Sequence, residues 1–254
     1  MEEKILKKDM FERPQGGLFD QVLESEAVMF MAKQNGIDFV FFDCEHGAHS
    51  YDRLHDLMLC GNAIGMPSIV RVPELSRAWI SRALDFGAQG IMVPMTETRQ
   101  QAERIVQYSK YPPLGQRSYS GGAHTFYGPS GHHSENMAKA NAKVISIAQI
   151  ETVKGVENIE DILSVEGIDA AIIGPVDLSI SMGHPDDVYT EEEISAIEKV
   201  CSTCEKYHKG FGIIGSEKML ELFRGRVNLM VDLIDAHMLR DSFAKASEAY
   251  RKLY

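Results

Sequence analysis

The chain has 254 residues, of which 44% are hydrophobic and 25% charged, as in an ordinary globular protein. Its formal net charge of −11 argues against nucleic acid and anionic membranes as partners, because both recognise clustered cations. No stretch approaches the ~18 consecutive apolar residues of a membrane span, and the N-terminal segment lacks a signal-peptide core. We therefore expect a cytoplasmic protein that acts on a small molecule.

Apolar runs alternate with amphipathic helical segments along the chain. Eight strand–helix units in about 250 residues favour an α/β fold, a (β/α)8 TIM barrel, formed by residues 1–254 as a single domain. An open doubly wound sheet is the alternative, but no GxGxxG follows the first strands. The strands are predicted at 15–20, 38–43, 67–72, 90–95, 145–151, 170–175, 211–215 and 228–235.

Local signals mark the ends of several helices. Ser50 and Thr152 stand where helix N-caps are expected, and Gly36 stands where a glycine ends a helix before the second strand. Thr190 and Glu193 predict a capping box at the start of a later helix.

The four cysteines are too few and too scattered for a disulfide scaffold. Two of them form a CxxC, for which a zinc or redox site is one interpretation. A buried helix stripe is the better one, because apolar residues recur at three- and four-residue steps. The stripe consists of Ile194, Ile197, Cys201, Cys204 and His208.

A long connection, residues 112–137, is rich in Gly, Ser and His. Loops of this length usually cover a site, bind a ligand or lack structure. Because it comes after the fourth strand, we expect it on the catalytic face as a lid or substrate loop. An inert surface loop is the alternative.

Ionisable residues stand just past the ends of four apolar strands. In a parallel barrel the carboxyl ends of the strands share one face, so residues from separate strands build one polar site there. The set comprises Asp43, Glu45, His46, Arg71, Glu151 and Asp177.

Two carboxylates suggest a metal site. Glu151 and Asp177 end consecutive strands, and carboxylates with open coordination positions suit a divalent cation, Mg²⁺ or Mn²⁺. Alternatively, Asp177 is a helix N-cap and Glu151 a surface carboxylate. Glu45 could orient a metal-bound water.

The other polar residues suggest a base and an anion clamp. Asp43 could hold His46 in one tautomer and raise its basicity, or the histidine could be structural. Arg71 could bind a carboxylate or a developing enolate oxygen, or it could form a structural ion pair. Val176 and Asp177 lie at the start of a turn or short helix, where their backbone amides could hold a substrate carboxylate. Together these groups indicate metal-assisted proton abstraction from a 2-oxo acid.

Several segments resemble the HpcH/HpaI family of metal-dependent (class II) pyruvate aldolases. The resemblance runs from about residue 15 to 215 in consistent order and implies a barrel of the phosphoenolpyruvate/pyruvate type. It also implies a homo-oligomer, usually a hexamer with an exchanged C-terminal helix. The segments include DFVFFDCEHG, PSIVRVP, YPPLGQRS, IAQIETVKGVENI and GIDAAIIGPVDLSISMG.

The resemblance implies a role for each residue of the site. His46 matches the base, with Asp43 as its partner, and Arg71 matches the contact to the pyruvate oxygens. The remaining matches are Glu151 and Asp177 as metal ligands, Gln149 beside the keto group, and the Gly174–Asp177 turn with its Val176 and Asp177 amides at the pyruvate carboxylate.

The chain departs from the family in two places. Gln116-Arg117-Ser118-Tyr119 replaces the Gly-x-Arg-Gly motif, and Leu233-Ile234-Asp235 replaces a Gly-Ser-Asp turn. The expected activity is a carbon–carbon lyase that cleaves a 4-hydroxy-2-oxo acid to pyruvate and an aldehyde. The alternatives are an oxaloacetate decarboxylase, a citrate-synthase-like condensing enzyme and a non-catalytic metabolite-binding barrel.

Overall fold

Eight parallel strands close into a barrel in chain order, with β8 pairing with β1. The structure is a computed structural model, which describes residues 5–128 and 131–253. The predicted α/β barrel is confirmed, and each strand lies within two residues of its predicted bounds. The strands are β1 (Gln15–Asp20), β2 (Phe39–Asp43), β3 (Ser68–Arg71), β4 (Gly90–Val93), β5 (Ile145–Ile150), β6 (Ala170–Ile173), β7 (Gly210–Ile214) and β8 (Leu229–Ile234).

Helices surround the barrel, and a short 3₁₀ turn at Ala123–Thr125 interrupts the longest connection. The helices in the described residues are α1 (Leu6–Glu12), α2 (Glu26–Gln34), α3 (Tyr51–Ile64), α4 (Arg77–Asp85), α5 (Arg99–Ser109), α6 (His133–Lys143), α7 (Val153–Glu157), α8 (Ile159–Leu163), α9 (Pro175–Met182), α10 (Glu191–Lys206), α11 (Glu217–Leu222) and α12 (Asp235–Arg251).

The predicted helix ends are confirmed by their hydrogen bonds. The side chains of Ser50 and Thr152 accept from backbone amides in the first turns of α3 and α7. Gly36 follows α2 with φ of 84°, a left-handed conformation that a glycine adopts without steric cost.

The start of α10 differs from a full capping box. The Thr190 hydroxyl accepts from the Glu193 amide, but the buried Glu193 carboxylate has no hydrogen-bond partner among the described residues. Cys201 and Cys204 are buried free thiols, which confirms the stripe. His208 does not belong to it, because α10 has ended and the histidine turns away, exposed, with φ of 53°.

Two apolar layers hold the barrel together. One fills the space between the strands and the helices, and the other fills the barrel interior with side chains such as Phe39 and Phe41. Leu6 and Met10 of α1 belong to the interior layer, so α1 closes the N-terminal end of the barrel. The carboxyl ends of the strands are left as the open mouth.

The structure corrects the predicted position of the 112–137 connection. The segment follows helix α5, and it therefore lies at the N-terminal end of the barrel rather than at the mouth. Its contacts agree with this placement, because Arg117 pairs with Asp85 at the last residue of α4. Residues 129 and 130 of this connection lie outside the described residues. The segment is not a lid over the same chain's mouth.

No helix in the described part of the chain combines the length and apolar character that a membrane crossing needs.

The close packing of β1 on β2 gives a stability prediction. A Cβ added at Gly17 would lie 2.4 Å from the Phe39 ring, whereas one added at Gly16 would meet nothing within 4 Å. We expect Gly17→Ala to lower the free energy of unfolding by about 1–3 kcal/mol through overpacking. Gly16→Ala is the matched control. Equal denaturation midpoints for the two variants would contradict the proposed clash.

Candidate active site

The strand register brings Asp43 and Arg71 together at the mouth. Asp43 ends β2, Arg71 ends β3, and the two residues are partners in the parallel ladder. Side chains alternate between the two faces of a strand, so both belong to the same inward-facing layer as Phe41 and Ile69. Both residues are buried.

The Asp43 carboxylate is fully occupied by hydrogen bonds. Arg71 donates to it twice, Nε to Oδ1 at 2.8 Å and Nη2 to Oδ2 at 2.7 Å. Gln21 Nε2 donates to Oδ2 at 2.8 Å, and the amides of Glu45 and His46 donate to Oδ1. Burial opposes ionisation, but these bonds and the Arg71 charge lower the pKa of Asp43 overall.

This arrangement corrects the predicted Asp43–His46 pairing. Asp43 contacts the His46 backbone, and its side-chain oxygens are taken by Arg71 and Gln21. The His46 imidazole instead lies beside Glu45, with Nε2 3.9 Å from Oε2, and its side chain is 64% exposed. A base at this position is accessible from the mouth.

Glu45 links the histidine to the arginine. Its Oε2 lies 3.2 Å from Arg71 Nη1. Burial raises the pKa of Glu45, against the opposing charges of Arg71 and His46. Glu45 therefore touches both groups that the sequence assigned to anion binding and proton transfer.

Glu151 lies on the opposite side of the mouth, directly after β5. Its Oε1 accepts from the Met95 amide at 2.7 Å, and its Oε2 accepts from Gln149 Nε2. Burial raises the pKa of Glu151 to about 7, and the charges of Asp177 and Glu45 add to the rise. The carboxylates of Glu45, Glu151 and Asp177 therefore lie close enough to interact electrostatically.

Gly174 permits this packing. A Cβ at Gly174 would lie 2.9 Å from Glu151 Oε2 and 3.0 Å from Gln149 Nε2. Helix α9 begins directly afterwards, with Pro175 at its first position. Because the first turn of a helix has no preceding carbonyls, the amides of Val176 and Asp177 have no acceptors inside the helix. Those amides lie at the positive end of the helix.

The donor set fits a divalent cation. Glu151 and Asp177 supply two carboxylates, and the buried Gln149 Oε1 has no hydrogen-bond partner among the described residues. A cation there would offset the burial, and the repulsion from Asp177 and Glu45, that raise the pKa of Glu151. No cluster of three or more His, Cys, Asp or Glu side chains suited to a metal occurs at residues 5–128 and 131–253, so the remaining positions would fall to water and substrate oxygens.

A buried acidic pair, Asp20 and Asp235, supports the mouth between β1 and β8. The Asp235 carboxylate accepts from the backbone amides of Gln21, Val22, Leu23 and Ala236. Asp20 lies beside it, and burial followed by the Asp235 charge raises the pKa of Asp20 to about 8. The pair thereby fixes the backbone that carries Gln21 to Asp43.

Sequence reasoning missed Gln21, Met95 and the Asp20–Asp235 pair. Gln21 lies directly after β1, two residues beyond Phe19, so the strand-end rule would have found it if the rule had included uncharged polar residues. The role of Met95 rests on a backbone amide held at φ of 51°, for which a side-chain motif gives no signal.

The chain is similar to known proteins in sequence and in fold. The model of the HpcH/HpaI aldolase/citrate lyase family matches residues 17–240. A 2-keto-3-deoxy-L-rhamnonate aldolase of Salmonella gallinarum is 35% identical over 175 residues, which are 68% of this chain and 63% of that protein. The matched part of the chain thus spans less than two thirds of the length of this relative.

Two solved structures have the same fold over nearly their whole length. An HpcH/HpaI aldolase from Desulfitobacterium hafniense DCB-2 superposes with a TM-score of 0.92 at 28% identity, covering 98% of this chain and 96% of that one. Citrate synthase SbnG superposes with a TM-score of 0.85 at 28% identity, covering 97% and 98%. The protein is therefore a barrel of the aldolase and citrate lyase type. The chain belongs to the HpcH/HpaI aldolase/citrate lyase family.

The Asp20–Asp235 pair predicts a pH effect on stability. Between pH 3.8, the ordinary pKa of Asp20, and about 8, its folded-state pKa, the folded protein keeps a proton that the unfolded chain loses. This group therefore lowers the free energy of unfolding by up to about 1.4 kcal/mol per pH unit as pH rises through that range.

Asp20→Asn keeps a neutral donor beside Asp235 and removes the titration. We expect the melting temperature of the variant, relative to wild type, to rise steadily from pH 5 to pH 8. The exposed Asp186→Asn serves as the control. A difference between Asp20→Asn and wild type that stays constant across this range would contradict the assignment.

Proposed function

We propose that the protein is a divalent-metal-dependent carbon–carbon lyase that cleaves a 4-hydroxy-2-oxo acid to pyruvate and an aldehyde. The observation that carries this proposal is the meeting of Arg71, Glu45 and the Glu151–Asp177 pair at one barrel mouth. Membership of the family supports it. The 2-keto-3-deoxy-L-rhamnonate aldolase among the relatives makes that sugar acid the first substrate to test.

Glu151 and Asp177 are the proposed ligands of the cation, with Mg²⁺ or Mn²⁺ preferred by their oxygen chemistry. The bound cation would act as a Lewis acid toward the 2-oxo acid. Gln149 lies against Glu151 and is assigned to the keto end of the substrate.

Arg71 is assigned to the negative charge that develops on the substrate during bond cleavage. Asp43, which itself accepts from Gln21, holds the Arg71 guanidinium in one orientation, so little reorganisation is needed when that charge forms. Helix α9 supplies the Val176 and Asp177 amides for the substrate carboxylate.

His46 is the proposed base, and Glu45 rather than Asp43 is the carboxylate beside its ring. Retro-aldol cleavage needs removal of the proton from the 4-hydroxyl group, and the exposed imidazole at the mouth can accept it. Asp43 then acts through Arg71 as a positioning residue.

Citrate synthase SbnG supports a second candidate function, a citrate-forming condensation of oxaloacetate, and decarboxylation of oxaloacetate would use the same site. Both reactions use the same 2-oxo acid end. They differ from the aldolase in what occupies the rest of the mouth, where Ile214 and Ile234 pack against the interior cluster.

We also propose that the protein is a homo-oligomer, a hexamer by family resemblance, in which α12 packs on another copy. Only Asp235 is buried in this 17-residue helix. The apolar side chains of Met238, Phe243 and Tyr250 are exposed.

The cytoplasmic location expected from the sequence stays a prediction.

A coupled pyruvate assay tests the lyase. We expect pyruvate from 2-keto-3-deoxy-L-rhamnonate or a related 4-hydroxy-2-oxo acid, loss of turnover with EDTA, and recovery with Mg²⁺ or Mn²⁺.

Arg71→Lys keeps the charge but loses the bidentate hydrogen bond to Asp43, so kcat should fall by about 10²–10³. His46→Gln should lower kcat by about 10²–10⁴.

His208→Asn, at an exposed histidine outside the mouth, is the control and should keep wild-type turnover. Failure of every hydroxy-oxo acid with metal present would reject the aldolase. Turnover of oxaloacetate alone, or with acetyl-CoA, would then favour the second candidate. Binding of 2-oxo acids with no turnover at all would favour a metabolite-binding barrel.

Sedimentation tests the assembly. Phe243→Glu places a charge on the exposed apolar side of α12 and should lower the sedimenting mass. Ala244→Glu adds the same charge at the neighbouring exposed residue and should leave the mass unchanged. A wild-type protein that sediments as a monomer at micromolar concentration would reject the oligomer.

A further inference from the structure

A cavity of about 560 Å³ lies at the N-terminal end of the barrel. Its walls come from the region before α1, the ends of α4 and α6, and the 112–137 connection. Gln89 and Val144, which line it, directly precede β4 and β5. The mouth residues Arg71 and Glu151 stand at the opposite ends of their strands, so the cavity is separate from the proposed active site.

Positive charge surrounds the cavity although the chain as a whole is acidic. Arg117, Lys139 and Lys143 line it, and its lining in the described residues contains no Asp or Glu. The nearby Asp85 pairs with Arg117 through Nη2 at 2.6 Å. An anionic ligand suits this surface.

Two buried polar groups at the wall have no hydrogen-bond partner among the described residues: the Tyr111 hydroxyl and Arg117 Nε. Both side chains are about 99% buried, since each retains 1% of its exposure. The Arg117 guanidinium lies 4.8 Å from the centre of the Tyr111 ring, so the two groups sit side by side. Buried donors without acceptors are rare in folded proteins and call for an explanation. A ligand oxygen supplies one.

Apolar and aromatic side chains form another part of the wall, beside polar residues such as Asn62 and His124. Tyr119, Phe126 and Leu84 line it, and the Tyr119 ring is held by a hydrogen bond from Asn136 to its hydroxyl. The volume falls within the usual range of small-molecule sites, about 300–1,000 Å³. A planar organic body would cover these side chains better than a bare inorganic anion.

We propose that this cavity binds a small organic acid with an aromatic or similarly flat body, its carboxylate at Tyr111 and Arg117. Lys139 adds long-range attraction from the cavity edge. The departure from the family motif at Gln116–Tyr119 belongs to this site, at the end of the barrel remote from the mouth. The proposal does not depend on the lyase activity.

Fluorine NMR with 4-fluorobenzoate tests the proposal on the full chain. We expect saturable binding to wild type, together with benzoate competition. Benzamide, which lacks the charge, and inorganic phosphate, which lacks the apolar body, should each compete at least about tenfold more weakly.

Two variants locate the binding. Tyr111→Phe removes a hydroxyl that has no partner, so the fold should be preserved while affinity falls by about tenfold. Lys139→Gln should weaken binding by a few-fold, and Lys8→Gln, at an exposed lysine outside the lining, should not. Unchanged affinity in both Tyr111→Phe and Lys139→Gln would overturn the proposal.

Pyruvate and Arg71→Lys separate this cavity from the mouth. Saturating pyruvate and the Arg71→Lys variant should leave 4-fluorobenzoate binding intact. Displacement by pyruvate, or loss of binding in Arg71→Lys, would assign the ligand to the mouth and reject the cavity. Absence of saturable binding by wild type up to millimolar probe would reject it as well.

Discussion

The buried ion pair between Asp43 and Arg71 is the constraint on which the mouth depends. A buried charge pair is stable only when its remaining donors and acceptors are satisfied, because desolvation otherwise exceeds the Coulombic gain. Gln21 and two backbone amides complete the Asp43 carboxylate, and Glu45 approaches the outer side of the guanidinium. The register between β2 and β3 places Arg71 opposite Asp43, so this strand pairing and the anion site are specified by the same contacts.

The two kinds of polar cluster, one acidic and one basic, lie at opposite ends of the barrel. Carboxylates gather at the mouth around Glu151, where a cation would be stabilised, and cations gather around the cavity at the other end. Between them the interior is apolar, closed below by Leu6 and Met10 of α1. An acidic protein can in this way present an anion-binding surface, because local charge rather than net charge sets the field within about a Debye length.

The strand-end residues show how far sequence reasoning extends. Mostly apolar runs of five to eight residues predict the strands, and the barrel then gathers Arg71 and Glu151 at one face. The partner of Asp43 could not be obtained in this way. His46 is close in sequence, but Arg71, 28 residues away, occupies the carboxylate because the parallel ladder places it directly opposite. The predicted position of the 112–137 connection was wrong for a similar reason. Helix α5 lies between β4 and this segment and carries the chain to the other end of the barrel.

By itself, the sequence determined the alternation of strands and helices, the helix caps and the set of ionisable residues at strand ends. These features depend on periodicity and on neighbouring residues, which the sequence displays directly. Only the tertiary structure decided which of these groups touch, which carboxylates share a volume, and which buried donors at Tyr111 and Arg117 are left without partners. Those properties arise from cross-strand register and burial, and both are set by contacts between residues distant in the chain.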